Sequence, residues 1–283
     1  MKTGLVLEGG ALRTIYSTGV MDAMLSKDLM VDYVIGVSAG IAYGVSYVSK
    51  QPQRNLEILT RFVNDRRYMG LKNLVDKHNR SYFGLEFSYE TIPNELVPFD
   101  YDTFEAYPGQ VEAVMTNLNT GGAEYVEVPR RDKESLVLQA SCAMPLMFPI
   151  YEIDGKPCLD GGVADSIPWQ RALDQGCDRV LVVLTRTRDY VRKQDKAMPL
   201  IRRRYKEYPE FVRAMEQRAE RYNESRRQLF ELEKQGKILV ISPSSTLGVA
   251  RTERNTEKLR LLWAEGYQEA VDRMEEIRDY FKG

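Results

Sequence analysis

The chain has 283 residues, of which 40 are lysine or arginine and 41 are aspartate or glutamate, so its formal net charge is −1. This length suits one large α/β domain with a sizeable core, and the balanced charge argues against nucleic acid as a partner. The three cysteines form no Cys-x-x-Cys pair, and no apolar run is long enough to cross a bilayer. We therefore expect a cytoplasmic protein with buried thiols rather than disulfides or a zinc site.

The first predicted strand, Leu5 to Leu7, leads into a glycine loop, Glu8-Gly9-Gly10-Ala11-Leu12-Arg13, and then a helix from Ile15 to Leu25. Small residues leave consecutive backbone N–H groups free to face a developing negative oxygen. Phosphate binding is the rival interpretation, although the loop is neither Gly-x-Gly-x-x-Gly nor a loop ending in Gly-Lys-Ser/Thr. Arg13 is a candidate to orient the loop or contact an anionic headgroup, unless it is an ordinary arginine at the start of a surface helix.

The second predicted strand ends in Gly36-Val37-Ser38-Ala39-Gly40, and a helical pattern follows. A serine flanked at two residues on either side by glycine, between a strand and a helix, is the pattern of a nucleophile elbow. The bend is so tight that larger side chains at the glycine positions would collide. The motif alone is weak evidence, because an ordinary strand-to-helix crossover with a packed serine has the same letters. The strand before it and the helix after it favour the elbow.

The partner of Ser38 is not expected to be a histidine. The only histidine, His78, lies before any candidate acid, whereas hydrolases built on this elbow place the histidine last. His78 is best explained as an exposed loop residue, and a histidine-based metal site is not expected. A carboxylate acting directly is the alternative base. Asp160, in Asp160-Gly161-Gly162 after a short strand, is the best candidate, although Asp-Gly is also a common hairpin turn.

Strands and helices alternate through most of the chain. Residues 53–108 begin with a polar helix and are suited to a cap or lid over the site. Gln110 to Thr116 and Tyr125 to Val128 predict a pair of neighbouring strands, Ser135 to Cys142 a helix, and Arg179 to Thr185 the clearest strand. This order predicts a parallel sheet covered on both faces, with the active site at the carboxyl ends of its strands.

We divide the chain into a catalytic core, residues 1–185, and a helical C-terminal extension, residues 186–283, packed on that core. Within the extension, Pro199 to Gln235 is predicted to be a charged helix with a thin apolar stripe, and Ile238 to Ile241 a late strand. Apolar residues at steps of three and four from Leu259 to Phe281 predict a closing amphipathic helix.

Two basic clusters in the extension, Arg186 to Lys196 and Arg202 to Arg204, lie beside aromatic residues. Such clusters suggest contact with anionic lipid surfaces. The commoner explanation of a basic cluster is a solvated helix face. Peripheral contact with a membrane is therefore an expectation, and co-sedimentation with anionic liposomes tests it.

Taken together, the motifs resemble those of the patatin-like phospholipase family. That family combines a glycine-rich oxyanion loop, a Gly-x-Ser-x-Gly elbow and an Asp-Gly-Gly or Asp-Gly-Ala motif, matched here by residues 9–13, 36–40 and 160–162. Residues 140–149 also resemble the proline-containing segment that precedes the family's aspartate. Four matches in order are far more specific than one. The resemblance covers roughly residues 4 to 185, and the charged remainder is similar to the C-terminal extension of some bacterial members.

The resemblance implies a three-layer α/β/α fold with a mainly parallel central sheet. It also implies hydrolysis of lipid acyl esters, as in a phospholipase or lysophospholipase, by a Ser-Asp dyad without a cofactor or metal. Ser38 would attack the carbonyl carbon while Asp160 takes its proton. The N–H groups of Gly9, Gly10 and Ala11 would hold the oxyanion.

The sequence departs from the family pattern at two positions. Ala11 stands where a third glycine is frequent, and Thr14 stands where a glycine commonly follows the basic residue. Alanine tolerates a positive φ less well than glycine, which bears on the geometry of the oxyanion loop. Two alternatives to hydrolysis remain: acyl transfer by the same serine to an acceptor other than water, and lipid binding without turnover. The oligomeric state is not predicted.

Overall fold

The computed structural model describes residues 1–283. Eight strands form one sheet: β1 Thr3–Leu7, β2 Tyr33–Val37, β3 Gln110–Asn117, β4 Ala123–Glu127, β5 Tyr151–Ile153, β6 Lys156–Asp160, β7 Arg179–Val183 and β8 Ile238–Ile241. Eleven α-helices accompany them: α1 Ile15–Leu25, α2 Ala39–Val48, α3 Arg54–Phe62, α4 Leu71–Val75, α5 Tyr101–Ala106, α6 Leu136–Ser141, α7 Trp169–Asp174, α8 Met198–Arg204, α9 Pro209–Lys234, α10 Thr256–Asp272 and α11 Met274–Lys282. Short 3₁₀ turns cover Ala11–Thr14 and Gly161–Val163, and a π-helical segment covers Phe87–Leu96.

The sheet has the order β5-β6-β3-β2-β1-β7-β8, with β4 paired to β3. The five strands β3, β2, β1, β7 and β8 run parallel, whereas β4, β5 and β6 join by antiparallel pairs. The carboxyl ends of β1 and β2 therefore lie side by side, and each leads directly into one of the two glycine motifs. This is the edge at which parallel sheets collect their active sites.

Helices cover both faces of the sheet. Alternate residues of β1 show the two sides, because Leu5 and Leu7 pack with α1, α2 and α10, whereas Val6 packs on the face covered by α7 and α9. Strand side chains alternate between faces, so a parallel strand that is buried on both sides must be apolar throughout. The burial of β1, β2 and β7 fits this rule. The predicted three-layer α/β/α fold with a mainly parallel sheet is confirmed.

The elements predicted along the first 185 residues are present with small shifts of their ends. The strand pair β3 and β4 forms an antiparallel hairpin, and α6 occupies the stretch predicted as helical. The three cysteines, at positions 142, 158 and 177, are free and buried, as expected. His78 is exposed. None of the helices combines the length and apolar composition that a membrane span requires.

The long charged helix predicted from Pro199 to Gln235 is wrong, because the structure has two helices there, α8 and α9, separated by residues 205–208. Proline lacks an N–H and disfavours helical geometry in the residue before it. Tyr208 accordingly has φ −124° and ψ 71°, and Pro209 begins α9, the position where proline is well tolerated. The closing helix is likewise divided at Arg273 into α10 and α11.

The C-terminal elements take part in both layers and in the sheet. Strand β8 pairs in parallel with β7, α9 packs on one face, and α10 crosses α1 on the other. Gly19 of α1 and Gly266 of α10 meet at this crossing. A Cβ built on Gly266 would lie 2.1 Å from the carbonyl oxygen of Tyr16, so only glycine allows the two backbones to come this close. The boundary at residue 185 stays a prediction.

Candidate active site

The turn between β2 and α2 places Ser38 in a strained conformation. Its φ is 55° and its ψ −132°, a combination of backbone angles that residues other than glycine rarely adopt. A Cβ on Gly36 would lie 2.7 Å from the nitrogen of Ile41, and one on Gly40 would lie 2.5 Å from the carbonyl oxygen of Leu7. The two flanking glycines are therefore required by close backbone contacts, as a nucleophile elbow demands.

Strand β3 brings the elbow and the candidate acid together. Val114 of β3 is the register partner of Val37, the residue before Ser38, and the next residue, Met115, is the partner of Asp160. The backbone of Asp160 is held by a hydrogen bond from its N–H to the carbonyl of Ala143 at 2.9 Å. Strand β3 thus pairs at adjacent residues with Asp160 and with the neighbour of Ser38, although Ser38 and Asp160 are 122 positions apart in the sequence.

Ser141, at the end of α6, connects the elbow to the same strand. Its hydroxyl accepts a hydrogen bond from the backbone N–H of Ser38 at 2.9 Å and donates one to the carbonyl of Val114 at 2.7 Å. Both bonds are buried. Ser141 therefore fixes the strained serine to the strand that also positions the acid. Sequence reasoning missed this function, although Ser141 lies in the segment 140–149 that resembles the family pattern.

Asp160 is a buried carboxyl group, with 4% of the residue exposed. Burial raises its pKa above the ordinary value of an aspartate, and this shift is opposed by the positive charge of Arg218, by the Ser38 hydroxyl and by the backbone amide of Gly162. The Gly162 N–H donates to Oδ1 of Asp160 at 2.7 Å. A raised pKa makes the carboxylate a better base, and these partners offset part of the cost of burying its charge.

Arg218, on α9, is the positive charge that opposes this rise in pKa most strongly. Its Nε donates to the carbonyl of Gly162 at 2.5 Å, which holds the guanidinium against the Asp-Gly-Gly turn. This residue lies outside the motifs, in a helix that the sequence showed only as charged. No local signal distinguishes it from the other arginines of α9.

The predicted hairpin alternative for Asp160 is excluded, because another Asp-Gly pair makes the hairpin. Asp154 and Gly155 join β5 to β6 with φ values of 51° and 72°, which is the geometry of a two-residue turn that requires positive φ at both positions. Asp160 instead ends β6 and begins a 3₁₀ turn. Its side chain is thereby left beside the elbow.

The glycine loop lies against the elbow, where a Cβ on Gly9 would come within 3.1 Å of the Cβ of Ser38. The N–H groups of Gly9 and Gly10 donate to no acceptor within the protein. The preceding Glu8 is buried and anchors the loop, because its carboxylate accepts hydrogen bonds from the N–H of Thr185 at 2.6 Å and from the hydroxyl of Tyr222 at 2.5 Å. Two free donors on an anchored loop beside a serine suit an oxyanion hole.

Ala11 has a φ of 49°, which is in the left-handed region where glycine is favoured. The departure from the family pattern noted in the sequence therefore falls on a position whose backbone would suit glycine. An alanine in this conformation carries a cost of roughly 1 to 2 kcal/mol. The turn forms nevertheless, and Arg13 two residues later donates its N–H to the carbonyl of Gly10 at 3.2 Å.

A large apolar cavity opens on one side of Ser38. Its empty volume, including the part open to solvent, is about 1150 Å³, and most of its lining is apolar. The walls come from α2, α6 and the segment 54–104, so the region predicted as a cap does border the site. Cys142 also lines it, but burial raises the pKa of this thiol to about 12. The thiol is therefore protonated at neutral pH and a poor nucleophile.

A second cavity, of about 750 Å³ on the same measure, lies on the other side of Ser38 and is lined by Asp160, by the glycine loop and by arginines. Arg13 is one of these arginines and is only 6% exposed, so the interpretation as a surface arginine is excluded. Arg192, from the first basic cluster, also faces this cavity rather than solvent alone. Arg202, from the second cluster, pairs with Glu216 at the surface.

The structure thus brings together all the predicted site residues: Ser38, Asp160, Gly9, Gly10, Ala11 and Arg13 all line the second cavity. No group of histidine, cysteine, aspartate and glutamate side chains has the arrangement of a metal site. What the site can do chemically follows from its parts, which are a strained serine, a buried carboxylate and free amide donors between an apolar and a cationic cavity.

Comparison with known proteins gives weak individual relatives. The uncharacterized protein YjjU of Escherichia coli (strain K12) is 24% identical over 198 residues, which are 65% of this chain and 52% of that protein. The chain therefore spans about half the length of this relative. The crystal structure of VipD from Legionella pneumophila superimposes with a TM-score of 0.45 and 13% identity, covering 97% of this chain and 67% of the other.

Family models divide the chain in two. Residues 208–282 match a domain of unknown function (DUF6363), which includes α9, β8 and α10. Residues 5–173 match the model of patatin-like phospholipases, a span that contains the glycine loop, the serine elbow and the Asp-Gly-Gly turn. This match extends over more than half of the sequence, and the resemblance found in the motifs is confirmed: the chain belongs to the patatin-like phospholipase family.

Proposed function

We propose that this protein is a serine hydrolase of lipid acyl esters, with Ser38 as nucleophile and Asp160 as the direct base. The observation that carries the proposal is the register of β3, which sets the end of β2 and Asp160 on adjacent residues, Val114 and Met115. Membership of a phospholipase family supports lipid esters as the substrate class. The apolar cavity beside the serine supports it independently, since an acyl chain needs a long apolar site.

In the proposed reaction, Oγ of Ser38 attacks the ester carbonyl carbon and passes its proton to Asp160. The carbonyl oxygen becomes an oxyanion and is stabilised by the N–H groups of Gly9, Gly10 and Ala11. The helix α2 begins at the serine and adds the positive end of its dipole. Collapse of the intermediate expels the alkoxide, which takes the proton from Asp160 and leaves an acyl-serine.

Water completes the cycle by the same route. Asp160 accepts a proton as the water oxygen attacks the acyl-serine carbonyl, and the second oxyanion occupies the same donors. Collapse of this intermediate breaks the bond between the acyl carbon and Oγ of Ser38, Asp160 returns the proton to Oγ, and the fatty acid leaves. The burial that raises the pKa of Asp160 helps both steps, because each requires the carboxylate to accept a proton from an oxygen acid.

The test is ester hydrolysis by Ser38→Ala and Asp160→Asn, with p-nitrophenyl esters and lysophospholipids as substrates. We expect Ser38→Ala to lose hydrolysis and labelling by a fluorophosphonate probe, and Asp160→Asn to lose roughly 100- to 10,000-fold in kcat. Ser26→Ala, an exposed serine at the end of α1, is the matched control and keeps full activity. Wild-type activity should fall as the pH is lowered, because Asp160 becomes protonated. Since burial raises the pKa of Asp160, this fall should occur above the pH range in which an ordinary aspartate titrates.

Three outcomes distinguish the alternatives. Undiminished hydrolysis in either variant, with the fold intact by circular dichroism, eliminates the dyad. Product that forms only when an acceptor alcohol is supplied identifies an acyltransferase. Neither labelling nor hydrolysis across a range of acyl esters identifies a lipid-binding protein without turnover.

A further inference from the structure

The cationic cavity beside Ser38 holds far more positive charge than catalysis needs. Its lining includes four arginines, Arg13, Arg192, Arg218 and Arg251, against two carboxylates, Asp160 and Asp195. Asp160 is assigned to the reaction. A cavity with this excess of cations attracts an anion into the space next to the nucleophile.

The guanidinium groups of these four arginines make a single hydrogen bond to a protein acceptor between them, from Arg218. The side chain of Arg13 is buried and its Nε has no hydrogen-bond acceptor, and the same is true of Nε in Arg192. Arg218 uses only its Nε, toward the carbonyl of Gly162. By contrast, Arg171 and Arg188 elsewhere in the fold form two-pronged ion pairs with glutamates. Buried guanidinium groups without acceptors are costly unless a ligand supplies the acceptor.

The positive charges also crowd one another. Burial, Arg192 and Arg251 lower the pKa of Arg218, and burial and Arg251, together with Arg186, lower that of Arg13. Even so, a guanidinium stays charged at neutral pH. Arg192 is stacked on the ring of Tyr222, with its central carbon 4.3 Å from the ring centroid, which holds it in place. Arg192 and Arg218 are therefore held in position by these contacts, whereas Arg251, which also lines the cavity, is exposed to solvent.

We propose that Arg192, Arg218 and Arg251 form an anion subsite that binds the phosphate group of the substrate lipid. The inference rests on the proposed function, since it takes Ser38 as the point of cleavage. The acyl chain lies in the apolar cavity, the scissile ester at Ser38, and the phosphate in the cationic cavity. Arginine is suited to this task because its planar fork binds phosphate oxygens in pairs.

This assignment gives a function to the part of the chain that matches only a domain of unknown function. Arg218 and Arg251 lie within residues 208–282, and Arg192 lies between the two matched segments. The patatin-like part supplies the reacting groups, while the C-terminal part supplies the cations that select the substrate. The preferred substrates are acyl esters of phosphorylated glycerol rather than neutral glycerides.

The experiment compares two substrates that differ only in phosphate, oleoyl lysophosphatidic acid and monooleoylglycerol, with lysophosphatidylcholine as a phosphodiester arm. We expect the wild type to favour both phosphate esters in kcat/KM. Arg192→Gln and Arg251→Gln should each lose about tenfold of that preference, through KM, because each removes a charge-assisted hydrogen bond. Hydrolysis of monooleoylglycerol, which carries no phosphate, should fall less than hydrolysis of either phosphate ester. Arg203→Gln, an exposed arginine outside the cavity, is the matched control.

Binding of glycerol 3-phosphate, measured by calorimetry, tests the subsite without catalysis. Saturable binding by the wild type that weakens about tenfold in Arg251→Gln supports the proposal, and an absence of binding at millimolar ligand overturns it. An equal loss on the charged and the neutral substrate assigns a structural role to the arginines and also overturns it. Failure of all ester hydrolysis together with intact glycerol 3-phosphate binding would reject the proposed function while retaining the subsite.

Discussion

Two regions of the molecule, the serine elbow and the crossing of α1 with α10, bring backbones into contact through glycine. At the crossing a Cβ on Gly19 would lie 2.1 Å from the carbonyl oxygen of Trp263, and at the elbow one on Gly40 would lie 2.5 Å from that of Leu7. The crossing consists of regular helix, whereas Ser38 has a positive φ. At the helix crossing, close packing through glycine serves only the structure. At the elbow the same close packing is combined with backbone strain, which exposes the nucleophile.

Each region also encloses a buried aspartate. Asp22 of α1 accepts a hydrogen bond from Nε1 of Trp263 at 2.7 Å, and burial raises its pKa to about 6. Burial raises the pKa of Asp160 as well. Asp22 lies among helices, however. Asp160 instead faces a cavity, a serine and Arg218, whose guanidinium makes only one hydrogen bond within the protein. A carboxyl group with a shifted pKa thus identifies a functional site only when a reactive partner and space for a substrate lie beside it.

The largest effect is expected where the crossing is broken. Gly266→Ala forces a methyl group into the backbone of Tyr16, and we predict a loss of about 3 kcal/mol in the free energy of unfolding. Because no site residue moves, the folded protein should keep its kcat. Gly40→Ala should instead reduce both stability and kcat, since the same kind of clash displaces the elbow. Urea denaturation and ester hydrolysis measure the two quantities.

Gly70→Ala is the control for this pair, because a Cβ at that position meets only the carbonyl of Arg66, at 3.9 Å, and its φ of 166° is extended backbone. It should change the free energy of unfolding by less than about 0.5 kcal/mol. Equal denaturation midpoints for Gly266→Ala and Gly70→Ala would show that α1 and α10 can separate without cost, and the comparison between the two regions would fail.

Much of this arrangement could be predicted because its signals are local. A strand, a glycine pair and a helix determine where a serine is exposed, and the prediction of Ser38, Asp160 and the glycine loop used only such signals. The break before α9 was also visible locally, at Pro209. The residues that were missed, Ser141 and Arg218, owe their positions to tertiary contacts with β3 and with the Asp-Gly-Gly turn. Nothing in the neighbouring sequence marks them out.

An intermediate effect is expected from Asp22→Asn, which tests the structural aspartate against the reactive one. A carboxyl whose pKa is raised by folding contributes stability below its unfolded value, near 4, and this contribution is lost as the pH rises through about 6. Asparagine does not ionise, so the variant does not lose this stability as the pH rises. At pH 8 it should therefore be about 2 kcal/mol more stable than the wild type. At pH 4 the advantage should vanish. Activity should be unchanged, whereas Asp160→Asn loses it.

Urea denaturation at pH 4.5 and pH 8 checks the sign of this effect. The asparagine can still accept the hydrogen bond from Trp263, so packing at the crossing is preserved and serves as an internal control. A stability difference that is the same at both pH values would mean that Asp22 has an ordinary pKa in the folded protein, contrary to the shift assigned to its burial.

The smallest effect is expected at Ala11, where the strained site can be relaxed toward the family pattern. With φ at 49°, Ala11→Gly removes strain of roughly 1 to 2 kcal/mol but increases the entropy of the unfolded chain. We therefore predict a net gain of about 0.5 to 1 kcal/mol in thermal or urea denaturation. The N–H remains, so kcat should be retained or rise. Ala250→Gly, at an exposed position without positive φ, should bring no gain. A loss of kcat in Ala11→Gly with improved stability would instead show that the alanine holds the oxyanion loop in its reactive geometry, and that strain at this site serves the chemistry just as it does at Ser38.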